Sequence, residues 1–135
     1  MKGQAAFEYL TIFSIVIVLV LILVTYAGQL TERNKEELRI TNAIAAASDI
    51  VDAANIVSTQ GKPSQITLNS VYIPDGVASI TISGKTILFK VWVGGGITDI
   101  PVKSKTDLQG SLSNTQGVKR IRVKAEGNYV NITEV

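Results

Sequence analysis

An uncharged, apolar segment over residues 10–27 constrains this chain more than any other feature. Its polar side chains are Thr11, Ser14, Thr25 and Tyr26. Extended backward through residues 5–7, the segment is long enough to cross roughly 30 Å of hydrocarbon as a helix. Its many β-branched residues would suit a buried strand in water. The length and the apolarity on every side instead favour a helix in lipid or in a helical bundle.

Three interpretations of this segment compete. It is a plain signal anchor, the core of a secretory signal that is cleaved near Ala27, or a segment that is retained because cleavage occurs before it. Apolarity does not separate these interpretations, whereas the flanking residues do. Glu8 fits a secretory signal badly, because a carboxylate at the edge of the hydrocarbon costs on the order of a few kcal/mol unless it finds a partner.

The spacing of Gln4 and Glu8 suggests such a partner. Cleavage after Gly3 would give Gln4 a new α-amine, and Glu8 lies four residues further on, about 6 Å along a helix axis. Two parallel helices staggered by that distance would bring the Glu8 carboxylate of one beside the Gln4 amine of the next. Any other stagger would leave a charge uncompensated in apolar surroundings, so the pair would set the register. The helix dipole also favours an anion in the first turns.

In these residues the chain resembles archaeal type IV pilins with a class III signal peptide. The shared features are a short basic leader that ends at Gly3, a Gln at the first mature position, a Glu at the fifth, and Ala6 at the small-residue site between them. The resemblance implies that a prepilin peptidase cuts between Gly3 and Gln4 and that Glu8 acts in assembly. It covers the leader and the apolar segment, and the remainder carries no recognised family motif.

The resemblance also implies a function, a location and partners. The chain would be a structural subunit of an extracellular type IV pilus-like filament, a homopolymer that serves surface adhesion. Its precursor would lie in the cell membrane, and the pilus assembly machinery would move it into the filament. The alternatives are a minor pseudopilin of a secretion or DNA-uptake machine, a monomeric membrane-anchored binding module, and a conventional secreted protein cut near Ala27.

Two observations favour other interpretations of the N-terminal region. Glu8 could be an interfacial acid that reaches the lipid headgroups without any partner. Arg33, Lys35 and Arg39 follow the apolar segment, and by Lys/Arg counting they weakly favour a cytoplasmic location for the residues beyond it.

Helical periodicity continues past the apolar segment to Gln60. No proline precedes Pro63, and Gly28 is the only helix-weakening residue between Leu10 and Gln60. The pattern predicts one helix of about 50 residues, roughly 80 Å long. Its second half has an apolar stripe opposite polar Asn42, Asp49, Asp52 and Asn55. The stripe consists of Ile40, Ile44, Ala47, Val51 and Ala54, flanked by Ala43, Ala46, Ile50, Ala53 and Val57.

Beyond Gln60 the apolar period changes to two. Strands are predicted over residues 65–73, 77–83, 86–93, 118–126 and 129–133, with a weaker strand over 97–103 and a polar loop over 107–117. Pro74-Asp75-Gly76 is a strong turn signal. About five or six antiparallel strands would bury one face against the helix stripe.

The predicted fold is therefore α+β. A long N-terminal helix forms a stalk, and a C-terminal antiparallel β-sheet head packs on its second half. The predicted divisions are a leader (1–3), a transmembrane or filament-core helix (4–30), an amphipathic helix (31–60) and the β head (61–135).

Composition narrows the range of functions. The chain has no cysteine and no histidine, which removes disulfides, thiolate nucleophiles, imidazole bases and most zinc or copper sites. A formal net charge of +2 gives no bulk electrostatic case for a nucleic-acid partner. No acid pair, nucleophile–base set or metal cluster is recognisable. We therefore expect neither enzyme activity nor a cofactor.

Three further features of the β head have ordinary interpretations beside functional ones. Asn131-Ile132-Thr133 is an acceptor sequon, and its place near the C-terminal edge would make Asn131 accessible for N-glycosylation. Arg120, Arg122 and Lys124 share one strand face, which we interpret as solvated; it could instead touch an acidic surface, a neighbouring subunit or DNA. Trp92 is interpreted as a core or subunit-contact residue.

Overall fold

The computed structural model describes all of residues 1–135 and divides into two compact units, residues 1–35 and 36–135. Helix α1 (Lys2–Gln60) runs through both ranges. It has 59 residues, against a predicted length of about 50, and it begins at Lys2, within the predicted leader. Helix α1 ends before Gly61, which has a positive φ of 76°. Pro63, two residues further on, cannot donate a backbone hydrogen bond and so cannot continue the helix.

Seven strands follow the helix and form two sheets. They are β1 (Gln65–Ile73), β2 (Val77–Ser83), β3 (Thr86–Val93), β4 (Gly96–Lys103), β5 (Leu108–Ser111), β6 (Gly117–Ala125) and β7 (Val130–Glu134). The first sheet has the order β1-β6-β7-β5, and the second sheet has the order β2-β3-β4. This antiparallel-rich arrangement after one long helix confirms the predicted α+β class and is consistent with a type IV pilin-like fold.

The predicted loop over residues 107–117 was wrong in its first part. Residues Leu108–Ser111 form β5, which pairs in parallel with β7, whereas the prediction contained only antiparallel strands. A four-residue strand with one buried apolar side chain, Leu108, has no period that sequence analysis can detect. Gly110 permits the pairing, because its backbone lies so close to the Ile132 carbonyl that any Cβ there would clash.

The weaker strand over residues 97–103 is a full strand. Every residue of β4 from Gly96 to Lys103 pairs with β3. Gly94 and Gly95, both with positive φ, make the turn between these strands. Glycine suits both positions because other residues rarely adopt that conformation.

The buried side of helix α1 and the inner faces of both sheets form one hydrophobic core. The predicted stripe is confirmed for most of its members. The buried helix residues are Ala43, Ala46, Ala47, Ile50, Val51, Ala53, Ala54 and Val57. Ile44 was wrongly included. It lies on the flank of the stripe and is 44% exposed.

The assignment of Asn55 was wrong, and one of the two alternatives for Trp92 is excluded. Asn55 is half-buried rather than solvated, and its Oδ1 accepts hydrogen bonds from Ser104 Oγ and from the Lys105 amide, both at 3.0 Å. Trp92 does not belong to the core, because its side chain is 49% exposed on the outer face of the second sheet. Its alternative role as a subunit contact stays a prediction.

Candidate functional site

The threonine and serine hydroxyl groups of the apolar segment are satisfied within helix α1. Thr11 donates to the Phe7 carbonyl at 2.9 Å, and Ser14 donates to the Leu10 carbonyl at 2.8 Å. Thr25 makes the equivalent bond to the Leu21 carbonyl at 2.8 Å. Such bonds to the carbonyl four residues earlier satisfy the hydroxyl within the helix. The outer surface of the segment is therefore almost purely hydrocarbon.

Helix α1 is long and apolar enough to cross a membrane, and its apolar window is not buried anywhere in the chain. The side chains of residues 1–35 are all exposed. Soluble monomers rarely leave contiguous apolar patches of more than a few hundred Å² uncovered. The exposed apolar surface is therefore compatible with membrane anchoring.

The predicted processing residues lie in the first turns of helix α1. Gly3 has open space around it, since a Cβ added there would meet no atom within 4 Å. The first hydrogen bond of the helix, from the Ala5 amide to the Met1 carbonyl, is long at 3.4 Å. Gly3 and Gln4 are exposed in the first turn of helix α1, and cleavage between them stays a prediction.

Glu8 has no partner within the chain. Its side chain is exposed and forms neither an ion pair nor a hydrogen bond with any other residue. Gln4 lies one helical turn before it, on the same side of helix α1. The expected pairing between Glu8 and the Gln4 amine joins two molecules and stays a prediction.

Asn131 lies on an inner strand rather than at an edge. Its neighbours in the first sheet are Lys124 of β6 and Gln109 of β5. The side chain is half-buried on the outer face, because Val130 and Ile132 on either side point into the core. A glycan on Asn131 would stand on the outer face of the first sheet. The modification itself stays a prediction.

The outer face of β6 carries the cations that the alternation predicted. Arg120 and Arg122 are exposed, while Ile121 and Val123 between and beyond them are buried. Lys124 is bound to Glu126 at 2.9 Å. This hydrogen bond lowers the pKa of the Glu126 carboxyl, and the positive charges of Lys124 and Lys62 add to the effect.

An open depression of about 520 Å³ lies where the two sheets meet. Asp107 is its only carboxylate, and Ser83 and Tyr129 are the lining residues with a hydroxyl group. The depression could not be predicted from the sequence, because one of its walls is β5, the strand that was predicted as loop. It is lined by Ile82, Ser83, Gly84, Asp107, Leu108, Gln109, Gly110, Asn128 and Tyr129.

Comparisons of the chain with protein-family models, with curated proteins and with solved structures find no match. The functional argument therefore rests on three features of the chain: an exposed apolar helical segment, a carboxylate near its start, and a β head that follows it in the sequence.

Proposed function

We propose that this chain is the structural subunit of an extracellular type IV pilus-like filament and polymerises through residues 4–30 of helix α1. The observation that carries the proposal is the uncovered apolar surface of the helix, with a single carboxylate, Glu8, at its start. Lipid covers that surface in the precursor. The helices of identical subunits cover it in the filament.

The acid selects the stagger of the helices. Lipid tails are as apolar as leucine, so transfer of the helix from lipid into a helical bundle gains little from the hydrophobic effect. Close packing stabilises many staggers almost equally, since the threonine and serine hydroxyl groups of the segment already bond within the helix. The Glu8 carboxylate and the amine of a cleaved Gln4 prefer one stagger, because only there are both charges compensated.

The proposed maturation of the subunit has three steps: membrane anchoring, cleavage and assembly. The precursor is anchored in the cell membrane, and a prepilin peptidase removes residues 1–3. The assembly machinery then transfers the mature chain into a homopolymer at the cell surface. The β head lies outside the membrane, where it serves adhesion. Catalysis and cofactors have no part in this proposal.

N-terminal sequencing of the protein from sheared surface filaments tests the proposal. A chain that begins at Gln4 and dominates the filament preparation is the expected result. A chain that begins at Met1 would indicate a plain anchor, and one that begins at Gly28 would indicate a secreted protein; either result would contradict the proposal. A Gln4 start at trace abundance would instead indicate a minor pseudopilin.

Gly3→Val sharpens this test. A valine at residue 3 meets no atom of the chain, so loss of cleavage would report recognition by the peptidase and not a folding defect. Gly28→Val is the matched control, because Gly28 is also helical with open space around it. We expect the first variant to remain uncut in the membrane and the control to be processed normally.

A further inference from the structure

Two arginines on the outer face of β6 form no ion pair within the chain. Arg120 and Arg122 are exposed, and neither forms an ion pair. Their neighbours differ, because Lys119 is bound to Glu134 at 2.8 Å and Lys124 is bound to Glu126. An arginine side chain stays charged at every pH that the protein meets. The first sheet therefore presents two permanent, uncompensated cations.

Two aspartates on helix α1 are similarly unused. Asp49 and Asp52 are exposed and form no ion pair. They lie three residues apart, so their Cβ atoms are neighbours at about 5–6 Å on one side of the helix. That side points away from the core. Ala45 and Ile56 lie beside them, and Ile56 is 50% exposed.

The two pairs match in charge and in spacing. Alternate residues on a strand lie about 7 Å apart on one face. Long arginine side chains can close the small difference from the spacing of the two aspartates. Planar guanidinium groups also match carboxylates well, since both nitrogens of the fork can donate. The small side chain of Ala45 leaves room for a strand to approach the helix.

We infer that Arg120 and Arg122 of one subunit bind Asp49 and Asp52 of a second copy of this chain. The inference rests on the proposed function, because it specifies a contact of the homopolymer. The two surfaces are different patches of the same unit, residues 36–135, so the contact is heterologous. A heterologous contact that does not close into a ring generates an open helical filament.

Charge reversal on each side, and then on both, tests the contact. Arg120→Glu/Arg122→Glu and Asp49→Lys/Asp52→Lys would each place like charges together. We expect each to lower the filament fraction about fivefold or more. The variant with all four substitutions restores opposite charges and should recover assembly. Lys85→Glu/Lys103→Glu makes the same change in net charge as the arginine variant, at two exposed lysines without ion pairs, and should assemble normally.

Cross-linking gives a second measurement that does not depend on assembly yield. The chain has no cysteine, so Arg122→Cys/Asp52→Cys introduces the only two thiols. A short bismaleimide added to filaments should join successive subunits into a ladder of dimers, trimers and longer products. Either single-cysteine variant lacks one side of the contact and should give no ladder.

Each result distinguishes the contact from the wider proposal. If the four-fold variant assembles no better than the two-fold variants, or the ladder is missing from intact filaments, the contact is wrong while the filament stands. If only the arginine variants lose a surface phenotype, the β6 face binds some other anion, and the contact is again wrong. If the unmodified chain forms no filaments, both proposals fail.

Discussion

Arg39 of helix α1 donates from Nη2 to the Asp75 carboxylate at 2.6 Å and from Nη1 to the Trp92 carbonyl at 3.2 Å. One side chain thus joins the helix to the β1–β2 turn and to strand β3. Gly76 completes the arrangement, because a Cβ at that position would lie 2.7 Å from the Arg39 Nε. The turn signal that sequence analysis found is therefore also the place where the helix docks.

Removal of this guanidinium should loosen the β head. For Arg39→Ala we expect the free energy of unfolding to fall by about 2 kcal/mol, since charge-assisted hydrogen bonds contribute more than neutral ones and Arg39 is only 20% exposed. Urea unfolding of the full chain in detergent, followed by the fluorescence of the single tryptophan, measures the change. Arg33→Ala, at an exposed arginine without an ion pair, should change stability by less than about 0.5 kcal/mol. Equal effects of the two variants would contradict the prediction.

Substitution of Gly110 should disrupt the pairing of β5 with β7. Gly110 has a φ of 131°, and an added Cβ would clash with the Ile132 carbonyl. We expect Gly110→Ala to cost about 3 kcal/mol or more, because the backbone must move apart and a parallel ladder is lost. Gly127→Ala is the matched control, with a positive φ of 99° but open space around it. It should cost only about 1 kcal/mol. A similar loss in both would show that backbone conformation, and not the close approach, decides the effect.

Acid should weaken the β head through Glu134. The hydrogen bond from Lys119 holds the pKa of the Glu134 carboxyl below its ordinary value of 4.5, and the Ser113 amide assists it. A carboxyl that is more acidic in the folded than in the unfolded chain stabilises folding above the unfolded pKa. That contribution is lost as the pH falls through the folded pKa. We therefore expect the free energy of unfolding to decline as the pH falls from about 5 through the lowered pKa of this carboxyl.

Glu134→Gln should flatten this decline, because glutamine cannot be protonated. Equilibrium urea unfolding at a series of pH values measures the slope. Asp99→Asn, at an exposed carboxylate without an ion pair, serves as the control. An unchanged slope in the Glu134 variant would contradict the assigned role of the Lys119 contact.

Glu8→Leu should separate insertion from assembly. Leucine removes a charge from the edge of the hydrocarbon, so membrane insertion should be intact or improved. The Gln4 amine of the neighbouring subunit would lose its partner, and the yield of sheared filaments should fall sharply. Glu37→Leu, at an exposed acid outside the apolar segment, should assemble normally. Filaments from the Glu8 variant at the unmodified yield would overturn the register argument.

Local patterns predicted most of the fold. The alternation over residues 77–83 and 86–93 gives β2 and β3 at their observed bounds, and the alanine-rich stripe identifies the buried side of helix α1. The failures depend on partners far along the chain. Parallel pairing of β5 with β7 and the hydrogen bonds of Asn55 to the Ser104 loop leave no periodic signal in either segment.

The candidate site divides in the same way. Its residue types and their spacing could be predicted from the sequence, because the proposed cleavage residues and the four-residue interval between Gln4 and Glu8 lie within one short segment. Accessibility of Asn131 was argued from its place near the end of the chain, whereas the strand order puts it inside a sheet. The proposed partner of Glu8 belongs to another molecule, so a single chain cannot display it.

Strand β7 comes last in chain order, yet it lies between β6 and β5. The first sheet cannot form strand by strand along the chain. Strand β1 pairs with β6, which follows the whole of the second sheet, and β5 pairs with β7, the last strand. The second sheet consists of three consecutive strands and can form early, because its contacts are local. Because a chain is synthesised from its N-terminus, the first sheet cannot be completed until residues 130–134 are present, even though most of its strands precede them.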